Sequence, residues 1–323
     1  MGVVSCCASM QKRHLFFILK LLLTTALLVA VINYVDLAMV WERIQSVNPL
    51  WLLASLSCLV IGYIMCGLRW AWIAEGLGID VSKRQKIRLY FLGMFASLFL
   101  PSTIGGDVVR GVLLAKSDGR KGMGVSAGAS VILDRVNGMY ALLLLLTFSM
   151  LFFEWSPAWW FTWLGVVGTA WLGMLFYPWI DRHLVGRLPE KLARLKALPL
   201  MDRRFRQSWW RSLPVSLLFQ MLIVQAHVFL GMAVGLEMSW FAFSIMVGLV
   251  ALVATLPISL NGFGVREAGY VSFALYFGAS GDAATAMAAL WVIVLGVASL
   301  PGAWVLWRLG GLNSIRGDNA KPC

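Results

Sequence analysis

Residues 100–110 read LPSTIGGDVVR, and residues 256–266 read LPISLNGFGVR. Laid over one another without a gap, five positions coincide: Leu100 with Leu256, Pro101 with Pro257, Gly106 with Gly262, Val109 with Val265, and Arg110 with Arg266. Thr103 and Ser259 each add a hydroxyl. Both copies lie inside strongly apolar sequence. Proline removes a helix hydrogen bond and glycine loosens the backbone, so each copy breaks a helix. Arginine is costly in lipid. Paired Pro/Gly breaks at corresponding places in two halves point to a transporter's binding site. The competing reading is a chance likeness between two loops, and the sequence around them weighs against it.

The chain has 323 residues, 60% of them hydrophobic, and a mean hydropathy of +0.81. That composition describes a polytopic membrane protein rather than a soluble domain. A net charge of +12 raises the question of nucleic acid. The basic residues flank apolar spans, so they read as topology signals and contacts to anionic headgroups, with no nucleic acid as partner. Cys6, Cys7, Cys58, Cys66 and Cys323 form no disulfide framework. His14, His183 and His227 are too dispersed for a metal site, so neither metal nor cofactor is expected. Cys6 stands where N-myristoylation needs Ser or Thr. The apolar run after Lys12 and Arg13 reads as a retained first helix rather than a cleaved signal.

The apolar segments give an order. Spans are expected at about 15–35, with Lys20 snorkelling near its start, and at about 49–71, ending in an interfacial Arg69-Trp70. Next come the broken segment 89–115, then spans at about 123–153, 157–180 and 213–235, the broken segment 240–278, and a last span at about 283–306. The arms 89–100 and 107–115 are too short to cross. Twelve residues reach ~18 Å against a hydrocarbon core of ~30 Å. Both flanks of this segment are basic, so it reads as a re-entrant hairpin with its tip near mid-membrane, a place for irregular backbone only inside protein or beside water. Arm 240–256 is long enough to leave open whether it spans. The largest loop, 181–212, carries nine Lys/Arg against three acids, and its LARLKAL stretch suits a flat basic amphipathic helix.

With the termini, 83–88, 116–121 and 181–212 placed in the cytoplasm, 21 of the 27 Lys/Arg lie inside. The two hairpins then enter from opposite faces. The predicted fold is therefore an all-α polytopic membrane protein with about six spanning helices and two re-entrant broken-helix hairpins. Its inverted-topology repeats are residues 1–153 and 154–307, followed by a short cytoplasmic tail, 308–323.

Few ionisable groups remain at depth: Asp107, Arg110, Asp134, Arg135, Arg266 and Glu267. Such groups face a cavity or one another. Arg110 and Arg266 each follow a broken tip by about one turn, where a new helix N-terminus points N–H groups into the gap. Forked arginines beside helix N-termini make a phosphate site. The candidate headgroup residues are Arg110, Arg266, Thr103, Ser259, Gly105, Gly106, Gly262 and Gly264. Asp107, Glu267, Asp134 and Arg135 are expected to couple transport to protons or to form ion pairs. The alternative is mutual neutralisation, Asp107 with Arg110, Asp134 with Arg135 and Arg266 with Glu267, although adjacent helical residues do not face each other. Because the two tips are repeats, the two arginines are expected to behave alike. Gln220, Gln225 and His227 either line a path or join helices, and the spacings Gly124/Gly128 and Gly231/Gly235 suggest helix packing.

LPSTIGGDVVRG, ILDRVNG at 132–138, LPISLNGFGVREAG at 256–269 and GLRW at 67–70 together resemble the flippase-like family built on the transmembrane region of lysylphosphatidylglycerol synthases. The resemblance covers about residues 10–310. It marks Pro101, Gly105, Gly106, Asp107, Arg110, Asp134, Arg135, Gly262, Gly264, Arg266 and Glu267. It implies lipid handling: flipping of lysyl-phosphatidylglycerol, or transport steps tied to glycolipids, polyprenyl-linked sugars or hopanoids. No aminoacyl-transferase domain follows the last span, so synthase activity is not expected.

Two readings result. The first is a flippase of the bacterial inner membrane acting on an anionic phospholipid or on a polyprenyl- or glyco-lipid. Its expected partners are membrane lipids, together with a second copy of the chain or a lipid-biosynthesis protein. The second is a membrane-embedded transferase, or an accessory subunit of one, using Asp107, Asp134 or Glu267 as acid or base. No GxxxxGK[ST] motif is present, so uphill transport would draw on ions, membrane potential or a lipid gradient.

Overall fold

The computed structural model describes residues 18, 21–22, 24–27, 29–33, 36–100, 104–120, 122–175, 198–256, 259 and 262–309. Thr103, Pro101, Pro257, Lys20, residues 192–197 of the LARLKAL stretch and the tail from 310 lie outside them. Every described element is an α-helix: α1 (Leu37–Gln45), α2 (Pro49–Gly76), α3 (Lys83–Phe99), α4 (Gly105–Asp118), α5 (Met123–Met150), α6 (Pro157–Leu175), α7 (Arg203–Val234), α8 (Trp240–Thr255), α9 (Val265–Tyr276) and α10 (Gly281–Arg308). Among the described residues four helices, α2, α5, α7 and α10, are long and apolar enough to cross a membrane. The count is five if Thr24–Asn33 and α1, which meet at 87°, form one broken span. Only 33% to 56% of each apolar window is buried. Side chains such as Leu53, Ile132, Leu218 and Ile293 point outward. Lipid, not water, is the solvent for such faces.

Both broken segments are helical hairpins. In the first, Gly93 lets α3 and α4 touch: a Cβ there would lie 2.9 Å from the Gly106 carbonyl oxygen. In the second, a Cβ at Gly269 would lie 2.6 Å from a Val250 methyl. At 16 residues, α8 is ~24 Å long, short of a ~30 Å core.

The first expected span is followed by α1, capped by Asp36, whose carboxylate accepts from the N–H groups of Ala38 and Met39. Two expectations change. The end of the basic loop is the beginning of α7: Phe205 is buried, Trp209 partly so, and both pack with Ile73 and Leu77, so a helical stripe outweighs the local charge. Finally, α2 runs on to Gly76, which places Arg69 two turns inside the helix.

The chain forms two compact units. One holds 1–56, 97–105 and 224–297; the other holds 57–96, 106–223 and 298–323. Each draws on both halves of the chain. In the second unit the C-terminus of α2, the start of α3, the end of α4 and the start of α7 meet around one cleft, so these four helix ends share a side. Gly76 makes this approach close: a Cβ would sit 3.1 Å from the Phe205 Cα. Nearby, the Arg211 guanidinium stacks on Trp72 at 4.3 Å, a pairing suited to a membrane interface. In the first unit, Arg43 Nη1 donates to the Val234 carbonyl at 2.6 Å, satisfying an end of α7. Gly235, with φ +70°, closes that helix by letting Leu236 N donate back to the Gly231 carbonyl at 2.8 Å.

Asp118 ends α4. Its carboxylate accepts from Arg120 Nε at 2.6 Å and Nη2 at 2.7 Å, and from the Asp80 N–H at 3.0 Å. The Arg120 hydrogen bonds, with smaller help from the backbone, hold this carboxyl at about 2, below the ordinary carboxylate range. A depressed folded value means the contribution to stability is present above the unfolded value near 4 and is lost as pH falls toward 2. Asp118→Asn should therefore lower the thermal midpoint at about pH 6, and the difference from wild type should shrink to nothing by about pH 2. Thermal unfolding of both proteins in detergent across that range is the measurement.

Candidate functional site

In the second unit, the polar residues of α2, α4 and α5 join into one chain. Arg69 Nε donates to Asp134 Oδ1 at 2.7 Å. Arg110 Nη2 donates to Asp134 Oδ2 at 3.0 Å, and Arg110 Nε to Asp107 Oδ1 at 2.9 Å. Asp107 Oδ2 takes Arg135. Side-chain exposure rises along this chain, from 5% at Arg69 and 2% at Asp134, through 5% at Arg110 and 14% at Asp107, to 42% at Arg135. The network thus runs from the interior outward.

Local sequence explains the geometry. The break frees a helix start at Gly105, and Asp107 lies in the first turn of α4, where the helix dipole favours a carboxylate. Arg110 follows at i+3 and reaches back to it. Asp134 and Arg135 are neighbours on α5, so they point apart and bond to different helices. The inner end is fixed by neutral groups. Arg69 Nη1 donates to Ser216 Oγ at 3.0 Å, and that hydroxyl donates to Asn137 Oδ1 at 2.5 Å. Gly138 leaves room for Arg69, whose Nη1 would be 3.2 Å from a Cβ there.

Three arginines and two aspartates leave one excess positive charge. The Arg110 guanidinium sits against the faces of Trp70 and Tyr90, at 4.8 and 4.9 Å from the ring centroids. Its Nη1 is buried and meets no hydrogen-bond acceptor among the described residues. Buried donors are normally satisfied, so an orphan inside a net-positive cluster calls for an acceptor bearing negative charge.

The second break belongs to the first unit and is built differently. Gly262 and Gly264 have φ of +83° and +79°, a region that suits glycine. The Gly264 N–H donates to Glu267 Oε2 at 2.6 Å, so Glu267 caps α9 and is not the partner of Arg266. Among the described residues Arg266 makes no ion pair, and it is half-buried. Ser259 is 4% exposed, and its hydroxyl has no hydrogen-bond partner among the described residues. A Cβ at Gly264 would lie 2.9 Å from the Thr24 carbonyl oxygen. Behind α9, His227 Nε2 lies 3.1 Å from the Tyr270 hydroxyl, and its ring stacks on Trp291 at 4.0 Å.

The proposed pairs therefore divide. Asp107 does meet Arg110, whereas Asp134 does not pair with Arg135, nor Arg266 with Glu267. The two arginines have unlike surroundings: Arg110 is locked between aspartates, and Arg266 is not. Arg69 is no interface anchor. It is 4% exposed and carries the inner end of the network. Sequence reading missed it, together with Trp70, Tyr90, Asn137 and Ser216; the signal was the charge count, since Asp134 needed a cation from another helix. Gln220 donates to the Gly138 carbonyl at 3.1 Å, and Gln225 accepts from the Trp240 indole at 3.2 Å. Both join helices. Gly231 lies close against Phe243, whereas Gly124 and Gly128 meet no described neighbour.

Compared with known protein families, residues 17–302 match the family described as the lysylphosphatidylglycerol synthase TM region. The chain belongs to that family. The match spans both breaks and every member of the charged network. It makes this a multi-pass membrane protein of a lipid-related family. No curated protein matches the chain.

Proposed function

We infer that this family member is a lipid flippase: it carries an anionic phospholipid, or a polyprenyl- or glyco-lipid, headgroup across a bacterial inner membrane and is not an enzyme. The observation that carries the reading is the orphaned Nη1 of the buried Arg110, in a network whose one surplus positive charge lies toward its exposed end, at Arg135. A headgroup phosphate supplies the missing acceptor and neutralises the surplus. Trp70 and Tyr90 fix the orientation of the guanidinium and keep water from its faces, which strengthens its remaining N–H groups as donors. Acyl chains stay in lipid while the headgroup takes the place beside Arg110. Ser259 and Arg266 supply donors at the second tip, and alternating access comes from the two inverted repeats. The shared side of the 77–82 turn, the end of α4 and the start of α7 supports a hairpin entering from the basic, cytoplasmic face, with both termini on that face.

The transferase reading has less support. Asp107 and Asp134 each bind two arginines, and Glu267 caps a helix. None of these carboxylates is presented to a reacting proton, as a general base requires.

The test is flipping of a tail-labelled anionic phospholipid in proteoliposomes, with headgroup affinity and thermal midpoint measured on the same preparations. Arg110→Lys keeps the charge but loses the fork. Flipping and affinity should fall about ten- to a hundredfold, the equivalent of ~1–3 kcal/mol. Arg266→Lys, with no ion pair to lose, should reduce affinity without moving the midpoint. Unchanged affinity and rate in a well-folded Arg110→Lys/Arg266→Lys protein would rule out the phosphate clamp.

A further inference from the structure

A second polar concavity lies in the second unit, apart from the Arg110 network. It is a cleft of about 540 Å³ lined by Glu75, Gly78, Ile79, Asp80, Lys83, Arg120 and Arg204. Its position follows from the helices that form it. Glu75 lies one residue from the end of α2, and Arg204 is the second residue of α7. Both are ends of membrane-crossing helices, so the cleft opens at the membrane–water boundary, the depth at which lipid headgroups sit.

The charges in the cleft are unequally engaged. Arg120 gives Nε and Nη2 to Asp118 and Nη2 also to the Gly78 carbonyl, which fixes its plane and leaves Nη1 uncommitted. Arg204 has no hydrogen bond or ion pair among the described residues. Lys83 is only loosely held, 3.9 Å from Glu75. Glu75 is otherwise turned toward the fully buried Lys86, at 3.6 Å. Among the described residues the Asp80 carboxylate is in no ion pair, and its backbone N–H donates to Asp118. The cleft thus offers three cationic donors and one unpaired carboxylate.

A bare anion would be drawn to Arg204, Arg120 and Lys83 but repelled by Asp80. A ligand carrying both a phosphate and an ammonium meets both demands. We propose that this cleft binds a zwitterionic phosphodiester headgroup, with phosphate on Arg204, Arg120 and Lys83 and a primary ammonium on Asp80. The same chemistry occurs in a water-soluble phosphodiester, but the cleft's place at the ends of α2 and α7 assigns the ligand to a membrane lipid. This site is independent of the headgroup clamp at Arg110. It holds a lipid at the surface and requires no crossing.

Calorimetric titration of the purified full chain in a maltoside detergent tests this with three probes: dihexanoyl phosphatidylethanolamine, dihexanoyl phosphatidylglycerol and glycerophosphoethanolamine. The ethanolamine lipid should bind about tenfold more tightly than the glycerol lipid. Arg204→Gln, an exposed change with no partner to lose, should weaken it about tenfold. Asp80→Asn should abolish the preference between the two lipids while leaving binding of the glycerol lipid intact or stronger. Unchanged affinity in Arg204→Gln, or a preference that survives Asp80→Asn, would overturn the site. Binding of glycerophosphoethanolamine as tight as that of the lipid would overturn the lipid assignment.

Discussion

Asp134→Asn should destabilise the protein by on the order of 3–5 kcal/mol, because it strips a buried counter-charge from two arginines at once. Arg110 would retain Asp107. Arg69, 5% exposed at its side chain, would keep the Ser216 hydroxyl and at best a neutral amide oxygen, with no counter-charge. A buried charge without a partner is the costly case, whereas removal of both partners is often close to neutral. Asp134→Asn/Arg69→Met should therefore recover most of the loss, a coupling well above the ~0.5 kcal/mol expected of independent sites. Tryptophan-fluorescence unfolding in detergent reports both values. If the single variant melts within a degree or two of wild type, the network contributes nothing to the fold, and the argument from its excess charge falls with it.

Gly302→Ala should have the next largest effect. Gly302 lies on α10 against α3, and a Cβ there would collide with the Phe91 carbonyl oxygen and lie 2.6 Å from the Phe95 Cβ. Backbone cannot swing aside as a long side chain can, so α10 and α3 would have to part. Overpacking of this kind costs ~1–3 kcal/mol, and Gly302→Val should exceed Gly302→Ala. Gly124→Ala is the control. It meets no described neighbour, so the helix-propensity gain of ~0.5–1 kcal/mol should appear as a small stabilisation. Equal behaviour of Gly302→Ala and Gly124→Ala would contradict the packing.

The broken segments were legible because proline and glycine act locally. Arms expected at 240–256 and 265–278 are found as Trp240–Thr255 and Val265–Tyr276, and the break at 100–106 is followed by a helix from Gly105. The start of α7 was obscured because RRFRQSWWR reads as loop by charge; its buried stripe shows only once Ile73 and Leu77 pack against it. The site was half legible. Charges at depth can be listed from the sequence, and Asp107 with Arg110 is a one-turn pair on a single helix. The Asp134 pairing needed helix directions that no spacing provides. For the same reason the likeness of the two breaks concealed the difference between Arg110, clamped by aspartates, and Arg266, beside a glutamate committed to a cap.

The spread of the network over three helices also constrains how the protein is made. Arg69 precedes its partner Asp134 by 65 residues. At ~5–20 residues per second, several seconds separate their synthesis. During that interval α2 carries an arginine that would cost ~2.5–3.5 kcal/mol at the centre of a bilayer. Pairing with Asp134 removes that cost only once α5 has emerged. Joint insertion of α2, α4 and α5 is the expected order.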